Sequence, residues 1–240
     1  MQEYREISPP ARLADTVECF WAMLQTGQAS VRHRVVPDGC ADILFTSGPG
    51  KPSLMAVGAM TRFEDFEIPG GQWLVGIRFR PGTGASQLRI PGSRITDERL
   101  PLEDLWGAPA LKLLEQAAET NSPEKCAAVL AGCIRAPRSR TPVQRALAWM
   151  ETQHGYVWLD DVARQANLSP RQFRRLCLHH TGLSPKLLAR ILRFRHALSK
   201  LDAQAGDHAG LAAECGYFDQ SHFIAEFQRF SGQTPAAFRP

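Results

Sequence analysis

The rhythm of apolar and polar positions changes twice along the chain. Up to about residue 107 the apolar runs are short and rich in β-branched and aromatic residues. VECFWAML (17–24), VRHRVVP (31–37), ADILFTS (41–47), LMAVGAM (54–60) and WLVGIRFRP (73–81) read as strands. Pro37-Asp38-Gly39, Gly48-Pro49-Gly50, Pro69-Gly70-Gly71 and Pro81-Gly82 punctuate them as turns. Short strands at this spacing predict a barrel or sandwich. A short helix is expected at 83–89, and LEDLWG closes the unit.

From residue 108 the apolar period lengthens to that of a helix. PALKLLEQAAE (109–119) carries Leu111, Leu114 and Ala118 at helical spacing, and Ser122-Pro123-Glu124 is a capped start for KCAAVLAGCIRA. RAPRSRTP (135–142) reads as a linker into a last segment that is almost wholly helical.

That last segment repeats. Shifted by fifty residues, Ala163 meets Ala213, Leu168 meets Phe218 and Phe173 meets Phe223; Gly182, Ser184, Pro185 and Leu188 meet Gly232, Thr234, Pro235 and Phe238. Two copies are too few for a solenoid, so the pattern is a duplicated supersecondary unit. In the first copy LDDVARQA (159–166) is a short helix, Asn167-Leu168 a turn, and Ser169-Pro170 the capped start of PRQFRRLCLHH. Phe173, Leu176 and Cys177 face inward, leaving Arg171, Arg174 and Arg175 outside. Two helices joined tightly, the second basic on its outer face, form a helix-turn-helix. The second copy, HAGLAAECGYF then DQSHFIAEFQRF, has Asp219 at the cap and a core stripe of Phe223, Phe227 and Phe230, with Gln220, Ser221, His222 and Arg229 outward. The connector PKLLARILRFRHALSKL (185–201) carries Arg190, Arg193, Arg195 and Lys200. As a helix it would run about 25 Å, enough to set two recognition helices about one DNA turn, near 34 Å, apart.

Charge sharpens this reading. The net charge is +4 over 240 residues, and residues 141–240 hold twelve Lys/Arg against eight Asp/Glu, so the whole excess lies there with six of the seven histidines. The asymmetry points to a polyanionic partner. The six cysteines form no CxxC pair and no zinc-like cluster, so buried free thiols are expected; no metal or cofactor is implied. Cys126 and Cys133 share a helix face, but seven residues span roughly 10 Å, too far for one bridge. Without a run of about 18 apolar residues no membrane helix is expected, and MQEYREISPP lacks the apolar stretch of a secretory signal, which makes the cytoplasm the default.

The stretch AAECGYFDQSHFIAEFQRFSGQTPAAFRP (212–240), with its Gly-aromatic turn, two-phenylalanine helix and closing Thr-Pro and aromatic-Arg, resembles the C-terminal signature of the AraC/XylS regulators. LDDVARQANLSPRQFRRLCLHHTGLSPKLL is similar to the family's other half, and the resemblance covers about 141–240. It implies that Arg171, Gln172, Arg174 and Arg175 read base edges in one major groove and Gln220, Ser221, His222, Ile224 and Ala225 in the next. Many members carry arginine where Ala225 stands. Arginine grips guanine bidentately, whereas Ile224 and Ala225 offer only apolar contact, so the first unit is expected to carry most of the discrimination. Lys186, Arg190, Arg193, Lys200 and Arg229 are the candidate phosphate contacts.

The first half resembles, more weakly, a sensor domain attached to some of these regulators, through VVPDGCADILF (35–45), GIRFRPG (76–82) and the LEDLWG ending. Arg78 and Arg80 share a strand face and, beside Trp21, are candidates for holding an effector carboxylate or phosphate. The alternative pairs them outward with Glu64, Asp65 or Glu67. Trp21, Trp73 and Trp106 are candidates for an apolar pocket wall or for plain core packing, and Cys40, at a turn with no neighbouring base in the sequence, is a candidate for a reactive thiol.

The expected fold is α+β: a β-rich, barrel-like effector domain (1–107), a helical linker that is a candidate dimerisation segment (108–140), and an all-helical DNA-binding domain (141–240). Expected partners are double-stranded DNA, a small-molecule effector, RNA polymerase and a second copy of the chain, with no membrane. A thiol-bearing DNA-repair methyltransferase would need a cysteine-rich zinc site whose spacing is missing. A ligand-binding protein whose helices serve protein contacts only remains open, and salt-dependent DNA binding separates it from a regulator.

Overall fold

Period-two alternation sorts the side chains of the first half onto two sides of a sheet. In the computed structural model, which describes residues 2–136, 139–201 and 206–238, eight strands form: β1 (Gln2–Ile7), β2 (Val17–Gln25), β3 (Val31–Val35), β4 (Asp42–Ser47), β5 (Ser53–Val57), β6 (Glu64–Ile68), β7 (Trp73–Phe79) and β8 (Arg99–Pro101). Six pair antiparallel in the order β1-β2-β7-β4-β5-β8, while β3 and β6 form a separate ribbon. The expected barrel is therefore open: a sheet and a ribbon face each other.

One face of the sheet presents Phe20, Ala22, Ile43, Phe45, Val75, Ile77 and Phe79, all buried. The alternate residues Trp21, Met23, Asp42, Leu44, Leu74 and Arg78 line a cavity shared with the ribbon. The five strands read from the sequence form within a few residues of their expected bounds. β1, β6 and β8 lack the signal: QEYREI is half charged, EDFEI is mostly charged, and RLP is three residues ending in proline. Charge complementarity stands in for apolar alternation in β6, where Asp65 lies opposite Arg34 in register and pairs with it at 2.7 Å.

Helices α1 (Gly84–Leu88) and α2 (Leu102–Trp106) follow the sheet, then α3 (Ala108–Ala118) and α4 (Pro123–Cys133). The Ser122 hydroxyl accepts the Lys125 N–H at the start of α4. Ala110, Leu113, Ala117, Cys126 and Leu130 belong to the core of the sheet. On α3 the face packed on the sheet is Ala110, Leu113 and Ala117, one position before the expected Leu111, Leu114 and Ala118, of which Leu111 and Ala118 are exposed. Of the linker 135–142, Pro137 and Arg138 lie outside the described residues.

The second core is helical, built from α5 (Pro142–Thr152), α6 (Leu159–Gln165), α7 (Pro170–Thr181), α8 (Pro185–Lys200), α9 (His208–Glu214) and α10 (Gln220–Ser231). α8 runs through its centre, where Phe194 meets Phe227 and Phe230 at ring distances of 5.2 and 5.4 Å. Phe173, Cys177, Leu188, Ile191 and Phe223 complete the packing. The six cysteines are free and all but Cys133 are buried. No helix among the described residues is long and apolar enough to cross a membrane.

Candidate nucleic-acid interface and sensor cavity

Local chemistry starts both recognition helices in the same way. Ser169 and Gln172 form a capping box at α7: Gln172 Oε1 accepts the Ser169 N–H at 2.9 Å and Ser169 Oγ accepts the Gln172 N–H at 3.3 Å. At α10, Asp219 Oδ1 accepts the His222 N–H at 2.7 Å. The turn before α7 passes through Asn167 at φ 53°, a conformation asparagine tolerates, and the turn before α10 through Gly216 at φ 71°. Both helices end on a left-handed glycine, Gly182 and Gly232, at the equivalent positions of the repeat.

Arg171, Arg174 and Arg175 are exposed on the first half of α7, and Gln220, Ser221 and Ala225 on α10. Three of the expected base-reading residues are engaged otherwise. Gln172 is turned back onto its own cap. His222 accepts the Phe218 N–H at Nδ1 and approaches Glu226 with Nε2 at 3.6 Å. Ile224 is half-buried against the helical core. The phosphate candidates also divide. Lys186 and Arg229 are exposed, but Arg190 is held at 2.7 Å by Glu226, which is only 4% exposed. Arg193 stacks over Tyr217 at 5.5 Å, and Lys200 pairs with Glu214. Lys186, Arg190, Arg193 and Arg229, but not Lys200, border an open cleft of about 850 Å³ between α6, α8 and α10.

Several polar contacts join the first half to the helical half. The Thr96 hydroxyl lies 3.0 Å from both the Gly92 and Gly182 carbonyls, and Arg34 Nη1 donates to the Ser231 carbonyl at 3.1 Å. Arg195 of α8 reaches across to the Glu18 carboxylate and donates to the Asp38 carbonyl at 3.1 Å. Sequence reasoning counted Arg195 only as one more connector charge; helix phase alone does not reveal the strand opposite. Cys40 lies in this cluster, its Sγ 3.2 Å from Glu18 Oε2. Burial, then the Asp38 and Glu18 carboxylates, hold its thiol well above its ordinary value, the reverse of an activated nucleophile.

The effector candidates separate. Trp21 and Arg78 line one cavity of about 310 Å³. Arg80 does not join them, because β7 ends at Phe79; its Nε donates to the Ala14 carbonyl at 2.7 Å and its Nη1 pairs with Glu151 at 3.2 Å. The acids suggested as outward partners are engaged elsewhere or exposed: Glu64 pairs with Arg99, Asp65 with Arg32 and Arg34, and Glu67 is exposed. Arg78 instead meets Asp38 at 2.9 Å and Glu6 at 3.3 Å. The three tryptophans do not share a pocket. Trp73 packs on Phe45 at 5.4 Å, and Trp106 carries the Arg89 guanidinium at 5.6 Å. Trp21 lies flat over Gly76, where an added Cβ would fall 2.0 Å from the indole.

Residues 162–240 match a family model described as a helix-turn-helix domain, and residues 5–101 match one described as a domain of unknown function (DUF6597). Among curated proteins, the HTH-type transcriptional activator RhaS of Escherichia coli is 34% identical over 97 residues, covering 39% of this chain and 34% of that protein. RhaS of Pectobacterium atrosepticum is 29% identical over 101 residues, covering 42% and 36%. The helical half of the chain is similar to regulators of the AraC/XylS family. The chain spans about a third of the length of these curated relatives. Among solved structures, an AraC-type regulator from Chromobacterium violaceum is similar over 39% of this chain and 85% of its own, at 24% identity and a TM-score of 0.37. ToxT of Vibrio cholerae aligns over 98% of this chain and 95% of its own, at 12% identity and a TM-score of 0.43. Against that family's pattern the chain keeps the paired units but departs at Ala225, and the signature's closing Arg239 and Pro240 lie outside the described residues.

Proposed function

We propose that the chain is a sequence-specific DNA-binding transcription regulator whose first half senses a small molecule. The observation that carries this reading is the pair of helix-turn-helix units, capped alike and ended alike, with three exposed arginines on the first recognition helix. Their side chains have the length and fork geometry for guanine edges. The exposed Lys186 and Arg229 are in this reading the phosphate contacts, which position a protein on the duplex without reading it.

In this proposal residues 141–240 contact DNA and residues 1–107 hold the effector cavity, with α3 and α4 of segment 108–140 bracing the sheet. RNA polymerase and a second copy of the chain are partners of the proposal, not of the contacts described above. The cavity residues Asp38 and Cys40 touch Arg195 on α8, so a ligand that favours one arrangement of this cluster would bias the helix that joins both units.

The test is a gel shift and footprint with the full chain. Affinity should fall steeply with salt as Lys/Arg contacts release counterions, and one chain should protect two neighbouring major grooves. Binding insensitive to salt, or none at low salt, overturns the assignment; protection of a single groove overturns the tandem arrangement.

A further inference from the structure

The cavity between sheet and ribbon, about 310 Å³, lies at the lower end of the roughly 300–1,000 Å³ typical of small-molecule sites. Its walls are mainly apolar, with Met23, Leu44, Val57, Phe66 and Leu74 among them. Three carboxylates and two guanidiniums also line it: Asp38, Asp42 and Glu67 against Arg78 and Arg99. Both guanidiniums are already matched. Arg78 is held by Asp38 and Glu6. Arg99 pairs with Glu64 at 2.6 Å and stacks over Phe66 at 4.2 Å. His33, the other basic side chain on the wall, is held toward its neutral form by burial.

Asp42 is different. It stands opposite Arg78 in strand register, yet its Oδ1 is buried with no hydrogen-bond partner among the described residues. The Trp21 indole N–H leans toward the same carboxyl without reaching hydrogen-bond geometry. Tyr4 stands beside Trp21, ring centroids 6.3 Å apart and planes tilted by 32°. An anion entering here would meet a guanidinium already shared by two carboxylates and a third carboxyl whose Oδ1 accepts no hydrogen bond. A cation would meet that third carboxylate and two aromatic rings, whose faces attract positive charge. Leaving a carboxylate buried without a partner is costly, and a bound cation removes the cost.

We propose that this cavity binds a small organic cation, an ammonium or amidinium group on an apolar body, with Asp42 taking the charge beside Tyr4 and Trp21. The proposal deepens the sensor reading above and rests on it for its regulatory meaning. It reverses the polarity that the Arg78–Arg80 pattern implied.

The probes are phenethylammonium and its anionic counterpart 3-phenylpropionate, titrated into the full chain by calorimetry and by tryptophan fluorescence. Phenethylammonium should bind and 3-phenylpropionate should not. Asp42→Asn should weaken phenethylammonium about ten- to hundredfold, the worth of a hydrogen bond to a charged group. Trp21→Phe, which leaves a smaller and less electron-rich ring on the wall, should weaken binding less than Asp42→Asn does and lose the fluorescence response. A measurement on the unaltered protein guards against a variant that fails to fold. Burial raises the Asp42 carboxyl toward neutrality, so cation binding near pH 7 should release a proton, seen as binding heat that varies with buffer ionisation. Preference for 3-phenylpropionate, equal affinity in Asp42→Asn, or no binding by phenethyl-, benzyl-, cyclohexyl- or tetraethylammonium overturns the proposal. A DNA gel shift on the same preparations separates the two readings. DNA binding without cation binding sinks this inference and leaves the regulator standing; cation binding without DNA binding does the reverse.

Discussion

Arg195 on the connecting helix is clasped by Glu18 on the second strand of the sheet, side chains 177 positions apart in the chain. Both are largely withdrawn from water, with side-chain exposures of 26% and 20%. Glu18→Gln leaves the guanidinium without its counter-charge beside the Cys40 thiol. The expected loss is about 1–3 kcal/mol, below the roughly 3–5 kcal/mol of a fully buried pair. Urea unfolding checks it, and an unchanged midpoint would reduce the pair to a solvated surface contact.

Arg174→Ala and Lys186→Ala should weaken DNA binding in different ways. Loss of a bidentate guanine contact costs about 1–3 kcal/mol on the cognate site alone. Loss of a phosphate contact weakens cognate and random DNA alike and lowers the salt slope by about one. Lys186 is the better phosphate variant than Arg190 or Arg193, because those two are held by Glu226 and Tyr217. Fluorescence anisotropy on both DNAs at one salt concentration decides. An unchanged specificity ratio for Arg174→Ala would remove α7 from the reading role.

Ser169→Ala opens the capping box of α7 and should cost about 1 kcal/mol of stability. It also frees Gln172, whose amide now closes the box. The variant should therefore melt lower while its base preferences shift, which thermal unfolding and site selection report separately. A lower melting point with unchanged preferences would leave Gln172 a cap and nothing more.

Stability should carry a signature of Asp42. Burial is the main cause that pushes its carboxyl up to about 7; Arg78 pulls it down while Asp38 and Glu18 push it further up. The native state therefore holds this proton more tightly than the unfolded chain, whose carboxyl titrates near 3.8. The stabilisation is complete below that value and is lost as pH rises toward 7. Asp42→Asn cannot lose it. The melting temperature of the variant relative to the parent should rise between about pH 5 and about pH 7 and level off above. A constant difference would mean that the carboxyl is solvated.

The helical half was largely legible in the sequence because its signals are local. A hydroxyl or carboxylate cap, a turn residue that accepts positive φ and a phenylalanine stripe each act within one helical turn, and the fifty-residue repeat states them twice. The strands with apolar alternation were legible for the same reason. β6 was not, since Glu64 and Asp65 look like loop residues until Arg34 and Arg99 are seen beside them. The cavity between sheet and ribbon was half legible. Alternation put Arg78 on a face that could line a pocket, but the partners that neutralise Arg78 come from Glu6 and Asp38, 72 and 40 positions away, and no periodicity carries that information. Arg80 was misplaced by one residue of strand, because the turn at Pro81 ends the alternation early.

The first half grips the two units at corresponding points. Thr96 meets Gly182 at the end of α7; Arg34 meets Ser231 and the Phe63 ring sits against Gly232 at the end of α10. In the proposed regulator, a body touching both ends of the paired units would work as a caliper. What it would fix is a length and an angle on the duplex, counted in base pairs of spacer. One inserted pair rotates the second half-site by about 34° around the axis. An effector acting through this grip would alter which spacer lengths are legible and leave the preferred bases as they were.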